Sequence, residues 1–245
     1  MLKLPVISGV IRRRLLVNYR VDPQVITRIL PPSFRPKLHG EHAIAGICLI
    51  RLESIRPRGW PAWIGISSEN AAHRIAVVWD DDGGEKEGVF IPRRDTNSLP
   101  NHLAGGRIFP GEHQFSTFDI RDEMGRVDLS VTSRDGLMSV VVQGEESDNF
   151  PADSIFTSLE ETSAFFENGS IGYSATRDCC HLDGILLETH TWQVKSFAVD
   201  RVESSFFSDL STFPSGSVEF DHALIMRDIS HEWIGVEGKK VPQKP

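Results

Sequence analysis

Short runs of alternating apolar and polar residues, separated by glycine-containing turns, constrain the fold of this chain most. Three of them follow one another as HQFSTFDIR, GRVDLSVTSR and LMSVVVQGE, and similar runs recur along the sequence, among them IRRRLLVNYRV, AIAGICLIRLES, AHRIAVVWD and SVEFDHALIMR. A period of two predicts half-buried strands. The sequence therefore predicts one mainly β domain (α+β) over residues 1–245, a barrel or sandwich with short helices on its rim.

Helix signals are few. Asp22-Pro23 supplies an N-cap and a proline at the first helical position, and Pro31-Pro32 ends the helix that follows. A second helix is predicted over 153–167, capped by Asp153 and ended by Gly169. The polar residues 238–245 are predicted to be frayed.

Composition excludes several classes of protein. The net charge is −8, with 34 acidic residues against 26 Lys and Arg, which argues against a dedicated nucleic-acid surface. No apolar run approaches the roughly 20 residues that span a bilayer. The first residues place a basic cluster after a short apolar run, the reverse of a signal peptide. The sequence therefore predicts a cytoplasmic protein that binds neither nucleic acid nor a membrane.

The cysteines indicate neither a disulfide framework nor a metal site. There are three, and Cys179 and Cys180 are adjacent. Adjacent side chains on a strand point to opposite faces, and zinc sites usually space their cysteines by two to four residues. No metal and no cofactor are predicted.

The stretch SLPNHLAGG, residues 98 to 106, contains no phosphate-binding motif. Neither the spacing nor the lysine of a P-loop is present, and the glycine pattern of a dinucleotide site is absent. A short helix capped by Asp95 or Thr96 and stopped by glycine explains the local pattern. It leaves Asn101 and His102 unexplained.

Arginine is abundant, with 19 Arg among the 26 basic residues. On the first strand Arg12, Arg14 and Arg20 share one parity, and Arg13 has the other. If that strand lines a barrel, one face aims guanidinium groups inward, which suits a carboxylate or phosphate ligand. The alternative is an edge strand with solvated charges.

Four segments carry a family resemblance: NYRVDPQVITRILPPSFRP, SSENAAHRIAVVW, GVFIPRRDTNSLPNHLAGGRIFPGEHQF and FDHALIMRDISHEW. They resemble the acetoacetate decarboxylase superfamily, and in particular an uncharacterised bacterial branch of it. The resemblance covers nearly the whole chain. It implies a closed, cone-shaped β-barrel around a buried, largely apolar pocket, and an oligomeric protein.

The resemblance also implies site residues. The decarboxylases form a Schiff base through a lysine whose neighbouring lysine lowers its pKa. The family arginine corresponds to Arg12, eight residues before Arg20, and the pocket glutamate corresponds to Glu69. The lysine pair corresponds to Asn101 and His102, so the resemblance implies that Schiff-base decarboxylation is lost. Lys195 is a weak substitute, and an ordinary exposed lysine is the simpler interpretation.

Three functions follow as hypotheses. In the first, the pocket binds a small organic acid through Arg12, Asn101 and His102. Arg93, Arg94 and Asn97 then line its mouth, unless they form surface ion pairs.

In the second, His102 and Glu69 form an acid–base pair of a lyase, hydrolase or isomerase. The alternatives are a hydrogen-bonded helix histidine and a surface acid. In the third, the chain is a non-catalytic homo-oligomer with Trp60, Trp63 and residues 166–170 in an apolar contact.

Overall fold

The protein is described by a computed structural model over residues 5–104, 111–176 and 180–241, without the side chains of residues 103 and 104. Within these ranges it is mainly β with three short α-helices. The helices are α1 (Pro23–Ile29), α2 (Leu99–Ala104) and α3 (Leu159–Glu167). The mainly β prediction is confirmed.

Thirteen strands form one sheet in the described part of the chain. The first six are β1 (Ile7–Val21), β2 (Arg35–Pro36), β3 (Leu38–His39), β4 (His42–Pro57), β5 (Ile66–Asp81) and β6 (Gly84–Thr96). The others are β7 (His113–Glu123), β8 (Arg126–Ser133), β9 (Ser139–Ser147), β10 (Ile171–Ala175), β11 (His181–Thr189), β12 (Lys195–Ser204) and β13 (Val218–Lys240).

Strand pairing closes this sheet on itself. One ring runs β6-β7-β8-β9-β12-β13-β1-β4-β5 and returns to β6. The pairs β6–β10, β10–β11 and β11–β13 close a second ring through the same β13, β1, β4 and β5. Closure leaves few free sheet edges, which explains how strands this long remain protected from edge pairing.

The shared strands are buried on both faces, which accounts for their nearly continuous apolar runs. Leu15 and Leu49 belong to one apolar cluster, whereas Leu16, Cys48 and Ile50 belong to another. Since consecutive strand residues point to opposite faces, the two clusters lie on opposite sides of β1 and β4. The second cluster is covered by α3 and borders the cavity described below.

A β-bulge in β1 changes which arginines point inward. Ile11 pairs with Leu52 of β4 and Arg13 pairs with Arg51, so Arg12 has no residue opposite it. The extra residue reverses the alternation. The parity that placed Arg12 with Arg14 in the sequence is therefore wrong: Arg14 faces the cavity and Arg12 faces solvent.

The helix signals are partly confirmed. Asp22 caps α1 by accepting from the backbone N–H of Gln24 at 2.7 Å. The second predicted helix begins later than expected, because residues 151–156 form turns and Ser158 caps α3 instead of Asp153. Glu161 accepts from the N–H of Thr157 at 2.6 Å, which completes a local cap.

Two further expectations need correction. Ser98 precedes α2 and its carbonyl accepts from the N–H of His102, whereas Asp95 and Thr96 still belong to β6. The end of the chain is paired up to Lys240, which lies opposite His181 of β11; residues 242–245 are outside the described ranges. Among the described helices none has the length and apolarity needed to cross a membrane.

Candidate functional site

A cavity of about 330 Å³ lies between the shared strands, β10, β11 and α3. Its wall is mostly apolar. The larger apolar side chains are Ile50, Leu52, Ile91, Leu187, Trp192 and Trp233. Such an enclosure with a few convergent polar groups is typical of a small-molecule site.

Three arginines border this cavity: Arg14 of β1, Arg74 of β5 and Arg94 of β6. None of them forms an ion pair within the described residues. The nitrogens without a hydrogen-bond partner there are Nε and Nη1 of Arg14, Nε of Arg74 and Nη2 of Arg94. Three guanidinium groups with free donors therefore surround one enclosed space.

Arg74 is held by the neutral side chains of Asn18 and His222, and this hydrogen-bonded chain ends at the carboxylate of Asp221. Its Nη2 donates to Oδ1 of Asn18, and the Asn18 amide donates to Nε2 of His222 at 2.9 Å. Nδ1 of His222 donates to Asp221 at 2.6 Å, which fixes the tautomer that leaves Nε2 as an acceptor. Burial lowers the pKa of His222, although Asp221 opposes the shift, so the imidazole is neutral.

Burial lowers the pKa of Arg74 to about 10, and the neighbouring charge of Arg14 adds to the lowering. The guanidinium of Arg74 also lies 4.5 Å from the ring centre of Phe166. At neutral pH the group is still protonated. Arg74 is thus a fixed, desolvated cation whose immediate partners carry no charge.

The described partners of Arg94 and Arg14 are likewise uncharged side chains. Nε of Arg94 donates to Oγ of Ser174 on β10 at 3.1 Å, and burial lowers the pKa of Arg94 to about 10. Gly111 (φ +74°) adjoins this contact, and a Cβ there would come within 2.6 Å of Ser174. Arg14 stacks on Trp192, with Cζ 5.7 Å from the ring centre.

Neighbouring arginines that face away from the cavity are paired with acids. Arg13, 3% exposed, donates to Glu69 at 2.7 Å and to Asp122 at 3.2 Å. Arg93 donates to Asp95 at 2.9 Å and to Asp135 at 3.1 Å. The fold therefore supplies carboxylate partners to Arg13 and Arg93, whereas no described carboxylate pairs with the three cavity arginines.

The structure separates the residues that the sequence proposed for the site. Arg12 is half exposed and donates to Glu53 at 2.6 Å and to Asp228 at 2.8 Å. Glu69 faces Arg13 on the other side of β5, since its neighbour Asn70 borders the cavity. Burial raises the pKa of Glu69, and Arg13 and Arg51 oppose the shift.

Asn97 is exposed, and its side chain accepts from the N–H of Glu69 at 2.9 Å. Of the other predicted residues, Arg94 and Asn101 border the cavity, whereas Arg93 forms the ion pairs above. Asn101 lies 3.5 Å from Oγ of Ser68. The structure therefore brings together Arg94 and Asn101 of the predicted set.

His102 borders a different hollow, next to Phe115 and Arg134. Its Nδ1 donates to the carbonyl of His113 at 2.6 Å. His102 and Glu69 thus occupy separate surroundings. Trp60 and Trp63 are exposed, and Lys195 is exposed and pairs with Glu146 at 3.0 Å.

Among the described residues, no group of three or more side chains is arranged to hold a metal ion. Cys48 borders the cavity as a free thiol, and Cys180 is exposed. Cys179 lies outside the described residues.

A family model of an uncharacterized conserved protein, DUF2071, matches residues 10–222. The chain belongs to the DUF2071 family. The match includes Arg14, Arg74 and Arg94, and thus the whole arginine set of the cavity. No curated protein matches the chain.

Solved structures confirm the fold of this DUF2071 member. An acetoacetate decarboxylase from Legionella pneumophila has a TM-score of 0.64 at 12% identity, with 98% of this chain and 88% of that chain covered. An acetoacetate decarboxylase-like enzyme from Sphingomonas wittichii RW1 has a TM-score of 0.62 at 12% identity, with 96% and 92% covered. The enduracididine biosynthesis enzyme MppR, complexed with pyruvate, has a TM-score of 0.58 at 14% identity, with 99% and 92% covered.

Sequence reasoning missed Arg74. A signal was present, because Arg74 interrupts the apolar run of AHRIAVVWD at a position whose neighbours are buried on both faces. A charge within a strand buried on both faces is costly unless a partner neutralises it. Such a residue needs either an internal carboxylate, as Arg13 has, or a ligand.

Proposed function

We propose that the protein binds a small organic anion in this cavity, through Arg14, Arg74 and Arg94. The observation that supports the proposal is the contrast between these arginines and their neighbours. Arg13 and Arg93 have carboxylate partners, whereas the three cavity arginines have neutral ones. Buried charges are normally paired, so a ligand that carries the missing carboxylate satisfies the site.

Schiff-base decarboxylation is not part of the proposal. No lysine is among the described residues that border the cavity. Lys37 borders a smaller adjoining space of about 30 Å³, but its amine donates to Glu87 at 2.6 Å. An ion-paired ammonium is not a nucleophile, because imine formation needs the free amine.

The acid–base alternative receives less support. His102 and Glu69 each have other partners and do not border the cavity. His113 does border it, but burial lowers its pKa to about 3, with Arg94 adding to the shift. A neutral imidazole beside Arg94 donates or accepts a hydrogen bond, which agrees with a binding role.

The test is a thermal shift of the purified protein against short keto, hydroxy and aromatic acids, followed by calorimetry of the strongest ligand. A ligand that binds only the native state at about 100 times its Kd adds roughly 2.7 kcal/mol to the free energy of unfolding. Wild type is compared with Arg14→Met, and the matched control is Arg12→Met, which lies two residues earlier on β1 and faces solvent.

We expect an acid to stabilise wild type and Arg12→Met but not Arg14→Met. Without ligand, Arg14→Met should melt above wild type, since replacing an unpaired desolvated charge by an apolar side chain relieves its burial cost. If no acid in the panel binds, or if Arg14→Met binds as well as wild type, the proposal is wrong.

A further inference from the structure

The three arginines form two separate cationic ends of the cavity. Arg74 and Gly46 are paired residues, as are Gly46 and Asn18. The Arg74 side chain crosses Gly46 to reach Asn18 on β1, the strand that also carries Arg14. Arg14 and Arg74 also border the same small adjoining space of about 30 Å³, which Arg94 does not border. These two groups form the first end.

Arg94 forms the second end, because its side chain turns the other way. Its Nε donates to Ser174 on β10, and Nη2 lies 3.9 Å from the position of a Cβ on Gly172. In the second ring, β1 and β10 lie on opposite sides: β4, β5 and β6 separate them on one route, and β13 and β11 separate them on the other. Neighbouring strands are about 4.8 Å apart, so the two ends are separated by more than a single carboxylate.

Small side chains lie between the two ends. Leu16, Cys48, Ala72 and Arg94 form one cross-strand row, and both Cys48 and Ala72 border the cavity. A thiol and a methyl leave space where larger side chains would divide the cavity. The floor between the ends is therefore open and carries no formal cation.

Within the described part of the chain, no acid forms an ion pair with the arginines of these two ends. Asp95 borders the cavity, but its two oxygens accept from Arg93 at 2.9 and 3.0 Å. Glu167 borders it from an exposed position. One monocarboxylate leaves at least one end without a counter-charge, because the amides of Asn70 and Asn101, which also border the cavity, carry no charge.

We infer that the ligand is a dicarboxylate with an apolar middle segment, one acid group at Arg14 and Arg74 and the other at Arg94. This inference rests on the proposed anion binding. It adds the number of acid groups and their spacing, neither of which the first experiment measures.

The test uses straight-chain diacids from succinate to suberate and the monomethyl ester of each. A diacid and its monoester have nearly the same length and differ by one charge. Calorimetry on the wild-type protein gives the ratio of the two dissociation constants at each chain length. We expect one length at which the diacid binds about tenfold tighter or more, as a second charge-assisted contact provides.

The second measurement repeats the best pair with Arg94→Met and with Arg12→Met as the control. Arg94→Met should bring the ratio close to one, and Arg12→Met should leave it as in wild type. If monoester and diacid bind equally at every length, or if Arg94→Met keeps the ratio, the dicarboxylate inference is overturned while anion binding stands. If neither compound binds wild type at any length, the anion site itself is refuted.

Discussion

Arg13 and Arg14 are consecutive on β1, yet Arg13 donates to two carboxylates and Arg14 to none among the described residues. The same division recurs at Arg93 and Arg94 on β6. In both pairs the sheet alternation sends one guanidinium to internal acids and the other to the cavity. The fold thus combines structural ion pairs and unpaired cations within single dipeptides.

The buried ion pair between Arg13 and Glu69 predicts an effect on stability. Glu69→Gln removes the charge that faces Arg13 and leaves that buried cation with Asp122 alone. We expect a loss of about 2 kcal/mol in the free energy of unfolding, in the range for charged hydrogen bonds in partly buried pairs.

Urea unfolding of wild type and Glu69→Gln measures this loss. Asp228→Asn is the control, because it removes one of the two acids from the half-exposed Arg12. Exposed pairs contribute little, so this variant should unfold close to wild type. Equal midpoints for the two variants would show that burial of the Arg13 pair has no energetic consequence.

The unpaired arginines at the cavity predict that a carboxylate introduced beside Arg94 replaces the ligand's acid group. Ser174→Asp places a carboxylate where Oγ now accepts from Arg94. The Arg94 charge is then satisfied internally, so the melting temperature should rise and the affinity for organic acids should fall about tenfold. Ser174→Asn has the same shape without the charge and should retain acid binding. Loss of binding in both variants would attribute the effect to size.

Much of the fold follows from local patterns. The alternation in β7, β8 and β9 is a property of neighbouring residues, and the cap at Asp22 needs only the adjacent proline. The start of α3 was also readable, because Ser158 and Glu161 have the spacing of a capping box. The helix was instead predicted to begin at Asp153, which can also serve as a cap, and so the cap at Ser158 was overlooked.

The site was less predictable because its geometry depends on tertiary structure. Parity on β1 groups Arg12 with Arg14, and the resemblance selects Arg12. The bulge opposite Leu52 and Arg51 turns Arg12 to solvent and leaves Arg14 at the cavity. Bulges are set by pairing with other strands, which periodicity within one strand does not reveal. Likewise Arg74 acquires its role from Gly46 and Asn18, which are distant in sequence.

Asn101 occupies the position that the resemblance assigns to a Schiff-base lysine, and it borders the cavity. Asn101→Lys should therefore introduce a reactive amine. Burial and the nearby arginines both disfavour its ammonium form, which lowers the pKa of such a lysine.

Borohydride reduction in the presence of pyruvate, followed by intact mass measurement, detects the trapped imine. Wild type should show no adduct and Asn101→Lys a single one. The matched control is His102→Lys, since His102 borders the separate hollow beside Phe115. An adduct on the wild-type protein would refute the absence of Schiff-base chemistry.

His73 predicts how stability depends on pH. Its side chain is fully buried against Phe206, with ring centres 4.5 Å apart, and neither ring nitrogen has a hydrogen-bond partner among the described residues. Burial lowers the pKa of His73 to about 3, and the charge of Arg93 adds to the shift. The unfolded chain binds the proton near pH 6.5, whereas the folded protein binds it only near pH 3.

Between these two values the unfolded state holds more protons, so the stability contributed by neutral His73 is lost as the pH falls. The slope from this residue reaches about 1.4 kcal/mol for each pH unit. His73→Phe retains an aromatic ring and removes the titration. Urea unfolding at pH 7, 6 and 5 should show a smaller loss of stability on acidification for His73→Phe than for wild type. Parallel curves for the two proteins would mean that His73 is protonated in the folded state, or that acid stability is controlled by other groups.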